Sequence, residues 1–249
     1  MQTCSSEVKL ILLVLLCLPA CTPTETNTLV SERYEFNQSY FTQGLTQYNE
    51  TAMIQSNGLY GESAIRIIDV YTQEVYKEKM LPPTVFAEGN TYINNTIILL
   101  TWHNEEAYYL DTGLEILEKK TYRGEGWGLT HNNTHLVMSN GSTKLQLRDP
   151  HTFHLQKTVN VTKNDAPVTN LNELTYREGY IYANVWLTDK IVKIDLSTGN
   201  VTETYTFPKN NLLTLAEREQ ADVLNGVMNW NNTIYITGKH YPYIYQTKI

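Results

Sequence analysis

The chain has 249 residues, with 26 acidic against 19 basic side chains and a formal net charge of −7 at pH 7. No basic run exceeds two residues, so a nucleic-acid partner is not expected. All three cysteines, at 4, 17 and 21, lie in the first 21 residues. The remainder therefore has no internal disulfide, no cysteine metal site and no cysteine nucleophile.

Residues 1–21 read as a leader. Lys9 precedes the apolar run LILLVLLCLPA (10–20), which is short for a bilayer span and matches a secretory signal peptide. The stretch LPAC (18–21) also resembles a bacterial lipoprotein box, in which Cys21 would carry the lipid. TPTETNT (22–28) reads as a flexible tether. The expected location is extracytoplasmic, with membrane contact only through an anchor at Cys21. Residues 29–249 are long enough for one well-buried domain.

Within that domain five copies of one pattern recur: FTQGLT (41–46), FAEGNT (86–91), GEGWGLT (124–130), LNELTY (171–176) and VLNGV (223–227). Aligned, they place Gln43, Glu88, Trp127, Asn172 and Asn225 in one column, at steps of 45, 39, 45 and 53 residues. A step on this scale marks a propeller or solenoid. A second column places Asp69, Asp111, Asp149 and Asp195 at the ends of IRIID, AYYLD, LQLRD and IVKID. Each is followed by turn residues and another alternating run, the pattern of a β-hairpin. Four strands per repeat and five repeats predict an all-β, five-bladed β-propeller. LVSERYEF (29–36) should join the last blade and close the ring, because an open sheet edge invites aggregation. A pair of β-sandwiches is the alternative, but it demands no such step. One segment, NLLTLAEREQADVL (211–224), carries a helix signal.

In a propeller the innermost strands line a central channel, so the first column should converge at one mouth. A second ring lies nine residues before each shared Asp: Tyr60, Trp102, Asn140 and Trp186, with Lys239 completing it in the last repeat. Together the rings predict a cup of aromatics, amides, one carboxylate and one ammonium. Aromatic walls exclude water, and amides can donate to and accept from an amide substrate. Glu88 in such a pocket should be held protonated to higher pH, which suits proton shuttling. Lys239 could offset developing negative charge. Taken singly, Glu88 reads as a turn residue, each Trp as core, Lys239 as surface, and Gly44, Gly89, Gly128 and Gly226 as backbone needs. The repeat argues against the bland reading of Glu88. Trp230 lies outside both columns and is assigned to packing.

Other chemistries fit poorly. GESAI (61–65) fails as a nucleophile elbow, GEGWG (124–128) lacks the strand-to-helix context of a phosphate loop, and no H-E-x-x-H is present. His131 and His135 would face apart in a hairpin. Eight N-x-S/T sequons, at Asn37, Asn49, Asn94, Asn132, Asn140, Asn160, Asn200 and Asn231, are read as an Asn/Thr-rich composition in preference to glycosylation sites.

The motifs FTQGLT, SNGLYGES, FAEG, LLTW, GWGLT, SNGS, LNELTY, IYANVWLTDKI, DVLNGV and ITGK-HYP resemble those of plant-type and bacterial glutaminyl-peptide cyclotransferases, colinearly over residues 33 to 249. The resemblance implies a five-bladed propeller that converts N-terminal glutamine of peptides or proteins to pyroglutamate with release of ammonia. It implies no cofactor and no catalytic metal. It places the general acid/base on Glu88 and the substrate pocket on Phe41, Gln43, Phe86, Trp102, Trp127, Asn172, Trp186 and Lys239. The expected state is a monomer. Two departures stand out: the family's FGEG is FAEG here, and Tyr241 precedes Pro242 where the family has Trp. Two other readings are a non-catalytic propeller that binds peptides or other ligands in the same cup, and a lactonase-type hydrolase, which would need several carboxylates around calcium.

Overall fold

The computed structural model describes residues 24–27 and 30–249; the expected leader, 1–21, lies outside them. Five four-stranded antiparallel units follow one another around a ring. Blade 1 runs Thr42–Gln47, Ala52–Asn57, Ala64–Asp69 and Val75–Met80, innermost to outermost. Blade 2 begins at Ala87–Ile93, blade 3 at Leu129–His131 and blade 4 at Leu171–Arg177. Blade 5 takes its three inner strands from the C-terminus, Leu224–Trp230, Thr233–Gly238 and Tyr243–Thr247, and its outermost from Val30–Glu35. The N-terminal run thus closes the ring as expected. Within the expected tether, Thr24–Asn27 lies parallel to the outer edge of blade 4 at Glu203–Thr206, where that edge has backbone groups left to pair.

The hairpins follow from local chemistry. Each shared Asp opens the turn to an outermost strand and accepts backbone N–H groups through Oδ1: Tyr71 and Thr72 on Asp69, Gly113 and Glu115 on Asp111, His151 and Thr152 on Asp149, Ser197 and Thr198 on Asp195. The inner turns use Asn94–Asn95 and Asn231–Asn232, with φ of 50° and 59°, and 49° and 62°. Two successive positive φ values match the twist of the strands they join, and Asn tolerates them. Part of the Asn-rich composition is therefore turn chemistry.

Blades stack through one apolar cluster per interface. Ile54, Ile67, Leu99 and Tyr108 fill the space between blades 1 and 2; Trp230, Met53 and Ile68 fill that between blades 5 and 1. Trp230, 2% exposed, is packing, as expected. Each buried aliphatic side chain contributes about 1.5–3 kcal/mol by leaving water, which is how a domain without disulfides holds its ring.

The helix expected over 211–224 is corrected to two short pieces, Lys209–Leu212 and Leu215–Gln220, and the strand of blade 5 already starts at Leu224. Thr214 and Glu217 form a capping box that starts a fresh helix, with Leu213 extended between the two.

The channel has two mouths. The far ends of the innermost strands surround a polar cavity of about 450 Å³ with Thr46, Thr91, Thr130 and Thr175 in its wall. The near ends surround the site described next.

Candidate active site

The first column sits where the innermost strands depart from their ladders. Strand register shifts between Thr42 and Gly44, Ala87 and Asn90, Leu171 and Leu174, and Leu224 and Val227. Such bulges re-aim side chains, here toward the ring axis. The glycines beside the column allow blades to meet there. At Gly89 an added Cβ would fall 2.5 Å from Leu129 N and 2.6 Å from the Trp127 carbonyl, whose oxygen accepts the Gly89 N–H.

One cavity of about 270 Å³ is lined by Phe41, Gln43, Phe86, Glu88, Trp102, Trp127, Asn172, Trp186 and Lys239, together with Leu59. All nine residues expected from the sequence thus come together. Three members of the two rings do not line it. Asn225 lies behind the wall and donates to Gln43 Oε1 at 2.9 Å and the Thr42 carbonyl at 3.1 Å. Asn140 turns aside to accept from Ser142. Tyr60 is half exposed and packs edge-on against Phe86.

Glu88 is buried, and its Oε1 accepts a hydrogen bond from Gln43 Nε2 at 3.0 Å. Asn225, Gln43 and Glu88 therefore form a directed chain that fixes the carboxyl. Burial holds the Glu88 carboxyl well above the ordinary carboxylate range; the Lys239 ammonium opposes this and Glu125 adds to it. Lys239 is itself buried, which lowers its proton affinity, while Glu88 and Asp222 restore part of it. Its Nζ sits 4.4 Å over the Phe41 ring, a contact that favours the cation. Asn172 lines the cup, and its Oδ1 is buried with no hydrogen-bond partner among the described residues.

The aromatic walls are mutually braced. Phe86 meets Trp102 at 5.2 Å and 61°, and Trp127 meets Trp186 at 5.4 Å and 78°. Both favour edge-to-face geometry. The two departures from the family pattern lie off the cup. Ala87 packs among the side chains between blades 1 and 2, and Tyr241 is buried between blades 4 and 5.

A family model described as glutamine cyclotransferase matches residues 10–249. The chain belongs to the glutamine cyclotransferase family. It is 32% identical over 218 residues to a glutaminyl-peptide cyclotransferase of Arabidopsis thaliana, covering 84% of this chain and 67% of that protein. The crystal structure of the Myxococcus xanthus glutaminyl cyclase superposes with a TM-score of 0.81 at 28% identity, over 91% of this chain and 97% of that one. A hydrazine synthase of Kuenenia stuttgartiensis shares the fold alone, with a TM-score of 0.50 at 12% identity over 82% of this chain and 57% of that one.

Sequence reasoning missed three residues near the cup. Leu59 lines it with φ of 77°, and no periodic signal marks it. Glu125 accepts hydrogen bonds from two cup tryptophans; it lies in the third repeat, GEGWGLT (124–130), two residues before the column position, where the repeat gives it no acidic counterpart to mark it. Glu173 occupies the column otherwise held by Gly44, Gly89, Gly128 and Gly226. That break in the glycine column was the signal that could have found it. Its Oε1 accepts from the Leu45 N–H at 2.9 Å, linking blade 4 to blade 1 across the ring.

Proposed function

We propose that this chain is a glutaminyl-peptide cyclotransferase that cyclises N-terminal glutamine to pyroglutamate, with Glu88 as general acid and base. The observation that carries this reading is the single carboxyl lining the cup, buried and held at Oε1 by the Gln43 amide.

The substrate enters with its side-chain amide and α-amine in the cup. Glu88 as carboxylate takes a proton as the α-nitrogen attacks Cδ and the N–Cδ bond forms. It returns that proton to the amide nitrogen as the Cδ–N bond breaks, so ammonia leaves and a five-membered lactam remains. Charge that develops on the amide oxygen meets the Lys239 ammonium. The Asn172 side chain, which lines the cup, is positioned to hydrogen-bond the substrate amide. The tryptophan and phenylalanine faces exclude water and hold the curled, near-attack shape, which at best lowers the barrier by about 7–11 kcal/mol. A raised Glu88 pKa brings its two protonation states closer to the operating pH. The same cup fits a lactonase poorly, because its lining carries one carboxylate. The leader-like segment 1–21 supports an extracytoplasmic location, and we assign the closed ring to a monomer.

The test is ammonia release from a Gln-initiated dipeptide by protein lacking residues 1–21, with chelator present, beside Glu88→Gln. Chelator-resistant release that falls about 10²–10⁴-fold in the variant supports the reading. Full activity in Glu88→Gln refutes the role of Glu88. Dipeptide binding without ammonia release would point to the non-catalytic propeller.

A further inference from the structure

The segment GEGWG (124–128) joins the outermost strand of blade 2, Ile116–Thr121, to the innermost strand of blade 3. Its glutamate does something the backbone path does not require. Glu125 Oε2 accepts the indole N–H of Trp102 at 2.8 Å and that of Trp127 at 2.8 Å. The two indoles come from different blades. A carboxylate oxygen that accepts two donors makes charge-assisted bonds, stronger than neutral ones. His103 stacks on Trp102 at 3.8 Å, and its Nδ1 lies 3.8 Å from Glu125 Oε1. On the other side, a Cβ at Gly141, where φ is +76°, would fall 2.6 Å from the Trp127 ring. Trp127 is thus confined by Gly141, Trp186 and Glu125.

We propose that Glu125 is a positioning residue for the cyclisation: from behind the cup it ties two tryptophan walls together and turns their N–H groups away from the substrate. The proposal rests on the cyclotransferase reading of the cup. Its physical content is simple. An indole N–H aimed into the cup would be a buried donor in need of a partner, whereas one held on Glu125 leaves its apolar face to the substrate. Glu125 also brings a negative charge near Glu88. The other charged or titratable groups that act on Glu88 or are acted on by it are Lys239, Glu173 and Tyr122.

Two variants separate wall-holding from charge. Glu125→Ala removes both bonds, and KM for a Gln-initiated dipeptide should rise about tenfold or more with a smaller change in kcat. The near-ultraviolet circular dichroism of the tryptophans should change with it. Glu125→Gln keeps an acceptor oxygen and removes the charge. KM should rise less, while the limb of the kcat/KM–pH profile set by Glu88 moves to lower pH, because a neighbouring anion has gone. A loop that merely supports the fold would lower kcat and the amplitude of the spectrum in the same proportion, through the folded fraction, and leave KM and the pH limb in place; that outcome overturns the proposal. If wild-type protein releases no ammonia, the cyclotransferase reading fails instead. The spectrum and the Kd for the same dipeptide then still decide whether Glu125 holds the walls.

Discussion

Glu173 gives the sharpest physical prediction, because its acidity and its hydrogen bond separate in two substitutions. The side chain is fully buried; Oε1 accepts the Leu45 N–H, and Oε2 has no partner among the described residues. Burial raises its pKa well above the ordinary glutamate value of 4.5, with the charge of Glu88 adding to the rise. The folded state therefore keeps the proton that the unfolded state gives up. Stability from this group is fully present below about pH 4.5 and is lost as pH climbs toward the folded pKa, the reverse of a salt-bridged carboxylate. In Glu173→Gln the amide oxygen still accepts from Leu45 and no proton can leave. At low pH the two proteins should differ by less than about 1 kcal/mol. Above that, wild type should lose about 1–2 kcal/mol per pH unit relative to the variant, until the folded carboxyl ionises. For a domain of this size the gap in Tm should grow by about 3–5 °C per pH unit. Glu173→Leu, by contrast, strands the buried Leu45 N–H and should be about 1–3 kcal/mol less stable than Glu173→Gln at every pH. Thermal unfolding of the three proteins from pH 4 to 9 reads this directly. A wild-type-to-Gln gap that stays constant with pH refutes the reasoning, since it would mean Glu173 titrates alike in both states.

Asn225→Ala frees Gln43 from the bond that aims it at Glu88, so kcat should fall about tenfold, the scale of one lost buried hydrogen bond; steady-state kinetics checks it. Lys239→Met removes the cation that favours ionised Glu88. The Glu88 limb of the pH–rate profile should move to higher pH and kcat should fall. Asp195→Ala deletes the acceptor of two turn N–H groups and should cost about 1 kcal/mol, or about 2–4 °C in Tm, with kinetic constants preserved.

The fold was legible because its signals are local and repeated. A hairpin turn is closed within a few residues by Asp69 or Asp195, so its sequence mark recurs with each blade. The column at Gln43, Glu88, Trp127 and Asn172 was legible for the same reason: equivalent positions in a closed ring face a common axis. The helix expected over 211–224 failed on a local detail, a capping box at Thr214 that restarts the helix.

The sequence by itself determined the five-fold step, the strand pattern, the Asp turns and the residue types gathered at one mouth. Tertiary structure decided how the remaining residues are placed around the cup. It set Asn225 behind Gln43, turned Asn140 and Tyr60 aside, and brought Glu125 onto two indoles from different blades. It also placed Glu173 against Leu45, 128 residues away in the chain. The physical reason is that a periodic pattern specifies each blade from within, whereas hydrogen bonds between blades depend on bulge geometry and on side chains that meet only when the ring closes.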